Sequence, residues 1–158
     1  MSPSNQPEGI IENPEVGGSG GTPFTLLKQG ASVKKLRTWS GTWSSANAPY
    51  VIRGIQVIWS DGSESQKYGK GDKDFKEFTF DSKVISMTLY AAQRLDKIHI
   101  ATATDDFNAG GDGGEAFEQI VGNGTLLGFN GAAAWDIDRL GSVFQSDDNG
   151  EAMKNETY

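Results

Sequence analysis

The sequence predicts an all-β domain built from three four-stranded sheets packed as a three-sided prism about a pseudo-threefold axis. Three observations carry this. No window pairs a 3.6-residue apolar stripe with helix caps at both ends. Short runs rich in Val, Ile, Thr, Phe and Trp are punctuated by glycine or Asp-Gly. Two kinds of landmark recur at a spacing of about 40 residues, the signature of an internal repeat.

In chain order, residues 1–15 are polar, contain Pro3, Pro7 and Pro14, and read as a flexible arm. The domain spans 16–145. Residues 146–158, through Asp147-Asp148-Asn149-Gly150, read as a flexible tail. The clearest strands are 51–60, 75–80, 84–90 and 97–104. Asp61-Gly62 predicts a tight hairpin turn with two positive φ angles. Trp39, Trp43 and Trp59 lie in strand-like sequence and read as packing residues.

The first landmark is Gly17-Gly18-Ser19-Gly20-Gly21-Thr22-Pro23-Phe24, which returns as Gly110-Gly111-Asp112-Gly113-Gly114-Glu115-Ala116-Phe117 with every glycine and the phenylalanine retained. A weaker copy is Gly69-Lys70-Gly71-Asp72-Lys73-Asp74-Phe75, and the alignment takes Gly18, Gly69 and Gly111, and likewise Phe24, Phe75 and Phe117, as equivalent. The second landmark is Ile52-Arg53-Gly54-Ile55, Leu95-Asp96-Lys97-Ile98 and Ile137-Asp138-Arg139-Leu140. About 40 residues hold about four short strands. Three such sheets can bury their inner faces against one another, whereas a propeller needs about four blades or more.

Composition narrows the function. With 158 residues the chain suits one domain. Its 14 Lys and Arg against 21 Asp and Glu give a net charge of −7, which offers no field for nucleic acid or an anionic membrane surface. No apolar run approaches the ~20 residues of a membrane span, and residues 1–14 lack the basic and apolar regions of a signal peptide. A cytoplasmic location is therefore expected, with non-classical release as the other route. Cysteine is absent, which removes disulfide scaffolds and cysteine-based zinc sites. Glycine, at 21 residues, is about twice its ordinary background of about 7%. The only histidine, His99, sits in the alternating run Ile98-His99-Ile100 and reads as a solvent-facing strand residue, which leaves imidazole-based catalysis without its base. Asp105, Asp106, Asn108 and Asp112 cluster oxygen ligands but lack the closing Glu of a helical calcium loop. They read as a solvated acidic turn, and no cofactor or metal is expected.

Taken together, these residues resemble the jacalin-type, mannose-binding lectins, whose fold is the β-prism I of three Greek-key sheets. The resemblance rests on Gly17 to Phe24, on Ile52-Arg53-Gly54-Ile55-Gln56-Val57 leading to Asp61-Gly62, on Tyr68-Gly69-Lys70-Gly71, and on the closing run Leu127-Gly128-Phe129-Asn130-Gly131-Ala132-Ala133-Ala134-Trp135-Asp136-Ile137-Asp138-Arg139-Leu140-Gly141. It covers roughly residues 16–144. It implies that the first and last strands are neighbours, so that the N-terminal glycine loop meets the C-terminal Asp loop and the two hold one monosaccharide.

The family's sugar motif, Gly-x-x-x-Asp, ends here at Asp138, with Ala134 in the glycine place. The resemblance thus implies a carbohydrate site of Gly18, Ala134, Trp135, Asp136 and Asp138. Asp138 accepts from two sugar hydroxyls, the amides of Trp135 and Asp136 donate, and Trp135 offers its ring to C–H groups or serves as a core or dimer contact. The chemistry is sound on its own terms, because adjacent hydroxyls each donate and accept, and a carboxylate with backbone N–H groups satisfies both roles. Galactose-preferring members are cut to free a glycine amine. This chain runs uncut through Gly17-Gly18, which implies mannose or glucose.

The threefold repeat extends the reading to a second site of Asp96, Arg94, Leu95 and Gly111. At the third corner Arg53 cannot accept a hydrogen bond. The expected partners are mannose- or glucose-containing glycans or glycoproteins, with avidity from repeated weak sites. A homodimer through an edge strand or an exposed Trp is the assembly the family suggests. Residues 47–50 and 91–94 are expected to tune sugar preference. Two other classes stand beside the lectin: a prism that binds protein and not sugar, for which Ala134 is the warning sign, and a glycoside hydrolase using Asp136 and Asp138 as its acid pair.

Overall fold

A computed structural model describes residues 9–42 and 48–147. Trp43 and Asn47, and residues 1–8 and 148–158 of the expected arm and tail, lie outside the described residues. Thirteen strands and no helix are found among the described residues. The first sheet joins both ends of the domain: β1 (Ile10–Glu12), β2 (Val16–Gly17) and β3 (Thr22–Leu26) pair with β12 (Leu126–Ala133) and β13 (Ile137–Gln145). Its order is β1-β13-β12-β3, with β2 following β1 along the same edge of β13. The second sheet, β6-β5-β4-β7, contains β4 (Val33–Thr42), β5 (Tyr50–Trp59), β6 (Tyr68–Gly69) and β7 (Phe75–Thr79). The third, β10-β9-β8-β11, contains β8 (Val84–Ala91), β9 (Leu95–Thr102), β10 (Asp106–Gly110) and β11 (Glu115–Glu118). All pairings are antiparallel.

The apolar landmark is the core. Ile52, Leu95 and Ile137 are fully buried, as are Ile55, Ile98 and Leu140. Each such side chain contributes about 1.5–3 kcal/mol. His99, between the buried Ile98 and Ile100, points outward and lies 3.1 Å from the Asp106 carboxylate. The symmetry also shows in the irregularities. Each sheet has two register shifts between its long strands: Leu126/Gly128 and Ala132/Ala133, Val33/Lys35 and Trp39/Ser40, and Val84/Ser86 and Tyr90/Ala91. A bulge bends the strand and re-aims the residues beyond it, and in the first and third sheets the second shift immediately precedes an Asp loop.

Four sequence expectations are corrected. The segment read as an arm over 1–15 is built into the first sheet from Ile10. β1 pairs with β13, and the buried Asn13 side chain donates to Ser142 O and Ile120 O and accepts from Ile120 N. Two adjacent isoleucines were too short a run to announce a strand. The Asp61-Gly62 turn has one positive φ, at Gly62, with Gly62 N–H donating to Trp59 O and Trp59 N–H to Ser63 O. It is therefore the three-residue loop with a left-handed glycine. The threefold equivalence falls on Gly17, Gly69 and Gly110, which pair with Arg139, Gly54 and Lys97. It does not fall on Gly18, Gly69 and Gly111. Finally, Phe75 pairs with Trp39 at the position of Pro23 and Ala116, one residue out of step with Phe24 and Phe117. Because side chains alternate faces, Phe24 is buried and Phe75 is 52% exposed.

Candidate carbohydrate site

The first glycine loop and the last Asp loop meet as expected. Gly17 runs antiparallel beside Arg139, and Gly18 N–H donates to Asp138 O at 2.8 Å. The loop then curls over the Asp138 carboxylate so closely that a Cβ at Gly20 would lie 3.0 Å from Oδ2, and one at Gly21 2.9 Å from Oδ1. Asp138 is buried, and its Oδ1 has no hydrogen-bond partner. Such an orphaned carboxylate oxygen costs about 1–3 kcal/mol.

The same arrangement stands at Asp96. Gly111 N–H donates to Asp96 O at 2.8 Å, and a Cβ at Gly113 or Gly114 would lie 2.8 Å from Oδ2 or Oδ1. Asp96 is buried, and its Oδ1 is likewise unpartnered. Burial raises its carboxyl above the ordinary range, partly offset by the backbone of Ala92.

The two Asp loops share one turn. Ala134 N–H donates to Asp136 O and Ala92 N–H to Arg94 O, both at 3.0 Å. Asp74 is the one described non-glycine residue with a positive φ, so Ala134 holds its place without backbone strain. Ala134 and Trp135 are exposed, and at 67% exposure Trp135 is no core residue.

Three expected site residues direct their side chains elsewhere. The Leu95 side chain is fully buried in the core. The Asp136 carboxylate is buried and accepts from Arg53 Nε at 2.6 Å and Arg94 Nε at 3.3 Å. Arg94, assigned from sequence to the second site, reaches into the first, with Nη1 3.7 Å from Asp138 Oδ2. Both arginines come from other sheets and are only half-buried, whereas the carboxylate they hold is buried. Arg53 itself stands in register with Asp96 and Asp138, and Gly71 N–H donates to its carbonyl at 2.9 Å.

The corners interlock around one end of the prism. A Cβ at Gly18 would lie 2.4 Å from Gln93 O, and one at Gly111 2.3 Å from Tyr50 O. Lys70 N–H donates to Trp135 O at 2.9 Å, and Lys70 Nζ lies 5.6 Å from the Trp135 ring centroid. Sequence reasoning missed these contacts because they join loops of different repeats. Gly20, Gly21, Gly113 and Gly114 were visible as the repeated glycines, but their closeness to the carboxylates was not. Among the described residues no cluster of three or more His, Asp or Glu is placed to hold a metal ion.

The raised Asp96 carboxyl has a testable consequence. Its folded value exceeds the unfolded value of about 3.9, so the stability it contributes is fully present below that value and is lost as pH rises through the folded one. Above the folded value the ionised, buried group is a cost. Asp96→Asn is expected to raise the melting temperature at pH 7 by a few degrees, with the gain shrinking toward pH 3; calorimetric scans at the two pH values check this.

A family model described as the jacalin-like lectin domain matches residues 14–143. Among solved structures, lamprey immune protein superimposes with a TM-score of 0.77 at 29% identity over 89% of this chain and 46% of that one. The chain thus spans about half the length of that protein. Malaysian banana lectin gives a TM-score of 0.70 at 21% identity over 88% of this chain and 100% of that one. A mannose-specific jacalin-related lectin from Morus nigra, in complex with mannose, gives 0.68 at 16% identity over 88% and 96%. At these identities the two plant proteins show the shared fold, a β-prism. No sequence match is found among curated proteins. The family model covers most of the chain, and its fold and sheet order agree with the β-prism: the chain belongs to the jacalin-like lectin domain family.

Proposed function

We propose that this protein binds mannose- or glucose-type residues of glycans at two sites on one end of the prism, without turning them over. The observation that carries the proposal is the duplicated cradle. Asp138 and Asp96 are each buried with an unpartnered carboxylate oxygen, and each is walled by a pair of glycines, Gly20 and Gly21 or Gly113 and Gly114, that lie close against the carboxylate. A pair of vicinal hydroxyls supplies the donors these oxygens lack. Family membership supports carbohydrate as the ligand class. The mannose-specific Morus nigra lectin and the mannose-binding lectin from Ananas comosus, both of the same fold, support the sugar type. So does the intact Gly17-Gly18 segment, whose amide at Gly18 is already committed to Asp138 O.

Binding without hydrolysis is favoured by the fate of Asp136. Its carboxylate is held by two guanidinium groups, so Asp138 has no second acid beside it free to protonate a leaving group. Calorimetric titration with methyl α-mannoside and methyl α-galactoside tests the proposal. Heat with the mannoside at two sites per chain, and much weaker heat with the galactoside, is expected. No heat with either sugar or with a high-mannose glycan contradicts it.

A further inference from the structure

Beside the Asp96 cradle lies a cleft of about 350 Å³, lined by Ser40, Tyr50, Asp74, Phe75, Lys76 and Gly110. Its volume is within the range of about 300–1,000 Å³ typical of small-molecule sites. Through Gly110 it adjoins the Asp96 loop. Gly110 lies against Asp96 O, and the next residue, Gly111, rests on the Tyr50 carbonyl.

The walls of the cleft combine an apolar plate with polar groups. Phe75 and Tyr50 are among the few large exposed apolar side chains, at 52% and 37%. Phe75 is backed by Trp39, 5.2 Å away and tilted by 47°, and Lys67 Nζ caps the other ring at 4.0 Å from its centroid. The Tyr50 hydroxyl donates to the Asp74 carboxylate. Burial and that carboxylate push the phenol up to about 12, so it stays a neutral hydroxyl at neutral pH. Lys76 Nζ is held by Asn108 O at 2.7 Å. An aromatic face beside a carboxylate and a hydroxyl suits a pyranose, which offers a patch of C–H groups on one side and hydroxyls at its rim.

This corner belongs to the repeat that lost its acid. Arg53 replaces the sugar-binding carboxylate there, while the one-residue change of register turns Phe75 outward. We propose that the Tyr50/Asp74/Phe75 cleft is a second subsite of the Asp96 site, receiving the adjoining residue of a neutral oligosaccharide whose first residue sits on Asp96. The inference rests on the reading of Asp96 as a sugar ligand. It makes the two carboxylate sites unequal, because the Asp138 cradle faces Gln93 and Arg94 at the corresponding place.

The test uses the full chain carrying Asp138→Asn, so that only the Asp96 site reports, with methyl α-mannoside and an α-linked mannotriose as probes. Mannotriose is expected to bind about five- to tenfold more tightly than the monosaccharide, a gain of the size an aromatic contact supplies. Phe75→Ala, at an exposed position, is expected to erase that gain and leave methyl α-mannoside unchanged. Tyr50→Phe is expected to reduce the gain in part. Equal affinity for the two probes, or a gain that survives Phe75→Ala, overturns the subsite. Loss of binding of both probes in the Asp138→Asn chain overturns the Asp96 site itself, and the subsite with it.

Discussion

Replacing both acids, Asp96→Asn with Asp138→Asn, is expected to abolish binding of methyl α-mannoside. Each carboxylate is proposed to accept two sugar hydroxyls. Charge-assisted hydrogen bonds contribute about 1.5–3 kcal/mol each, so a site that loses both weakens by about a hundredfold or more. Asn keeps the shape of the side chain but removes the charge and one of the two acceptors, so neither charge-assisted bond survives as such. Each single variant is expected to leave one site, halving the stoichiometry. Misfolding is not the expected cause, since Asp96→Asn removes a buried charge and should raise stability. Calorimetric titration with parallel melting curves separates the two effects, and a folded double variant that binds like the parent chain contradicts the assignment.

The second large effect is expected at Gly17→Ala. Gly17 has φ +134°, and a Cβ there would lie 2.2 Å from Asp138 O and 2.8 Å from Arg139 Cα. The substitution therefore adds a backbone clash to a conformation that alanine rarely adopts. The contacted carbonyl is the one that accepts from Gly18 N–H, so relief of the clash must pull the glycine loop off the acid. A cost of about 3 kcal/mol or more is expected, lowering the melting temperature by about 10 °C. Sugar binding should be lost at Asp138 and kept at Asp96. Gly30→Ala is the control. Gly30 also has a positive φ, +78°, but its Cβ would meet nothing within 4 Å, so about 1 kcal/mol of strain is the whole expected penalty.

The parts of the fold that could be read from sequence are those where one repeat resembles another. Ile52, Leu95 and Ile137 recur because each sheet needs the same inward residue near the start of β5, β9 or β13. Asp96 and Asp138 recur beside glycine loops because the same close approach is made twice. What could not be read lies where the copies diverge or touch. In the third corner Gly71, and not Lys70, donates to the strand carbonyl, while Lys70 bonds to Trp135 O. Local similarity therefore aligned Phe75 with Phe24 and missed that a single step turns it outward. Arg53, Arg94 and Asp136 form an ion-pair group across three sheets, and no spacing along the chain encodes a contact between corners. β1 escaped notice for a related reason, because its three residues take their order from β13 and not from their own pattern.

The most direct test of two glycine-walled carboxylate sites is an amide chemical-shift titration of the intact chain with methyl α-mannoside. The account predicts two clusters of shifts, at residues 17–21 with 134–138 and at 110–114 with 92–96, while amides at the other end of the prism, around Gly30, Ser60 and Gln145, stay in place. Shifts concentrated at that opposite end, or none at saturating sugar, would contradict it.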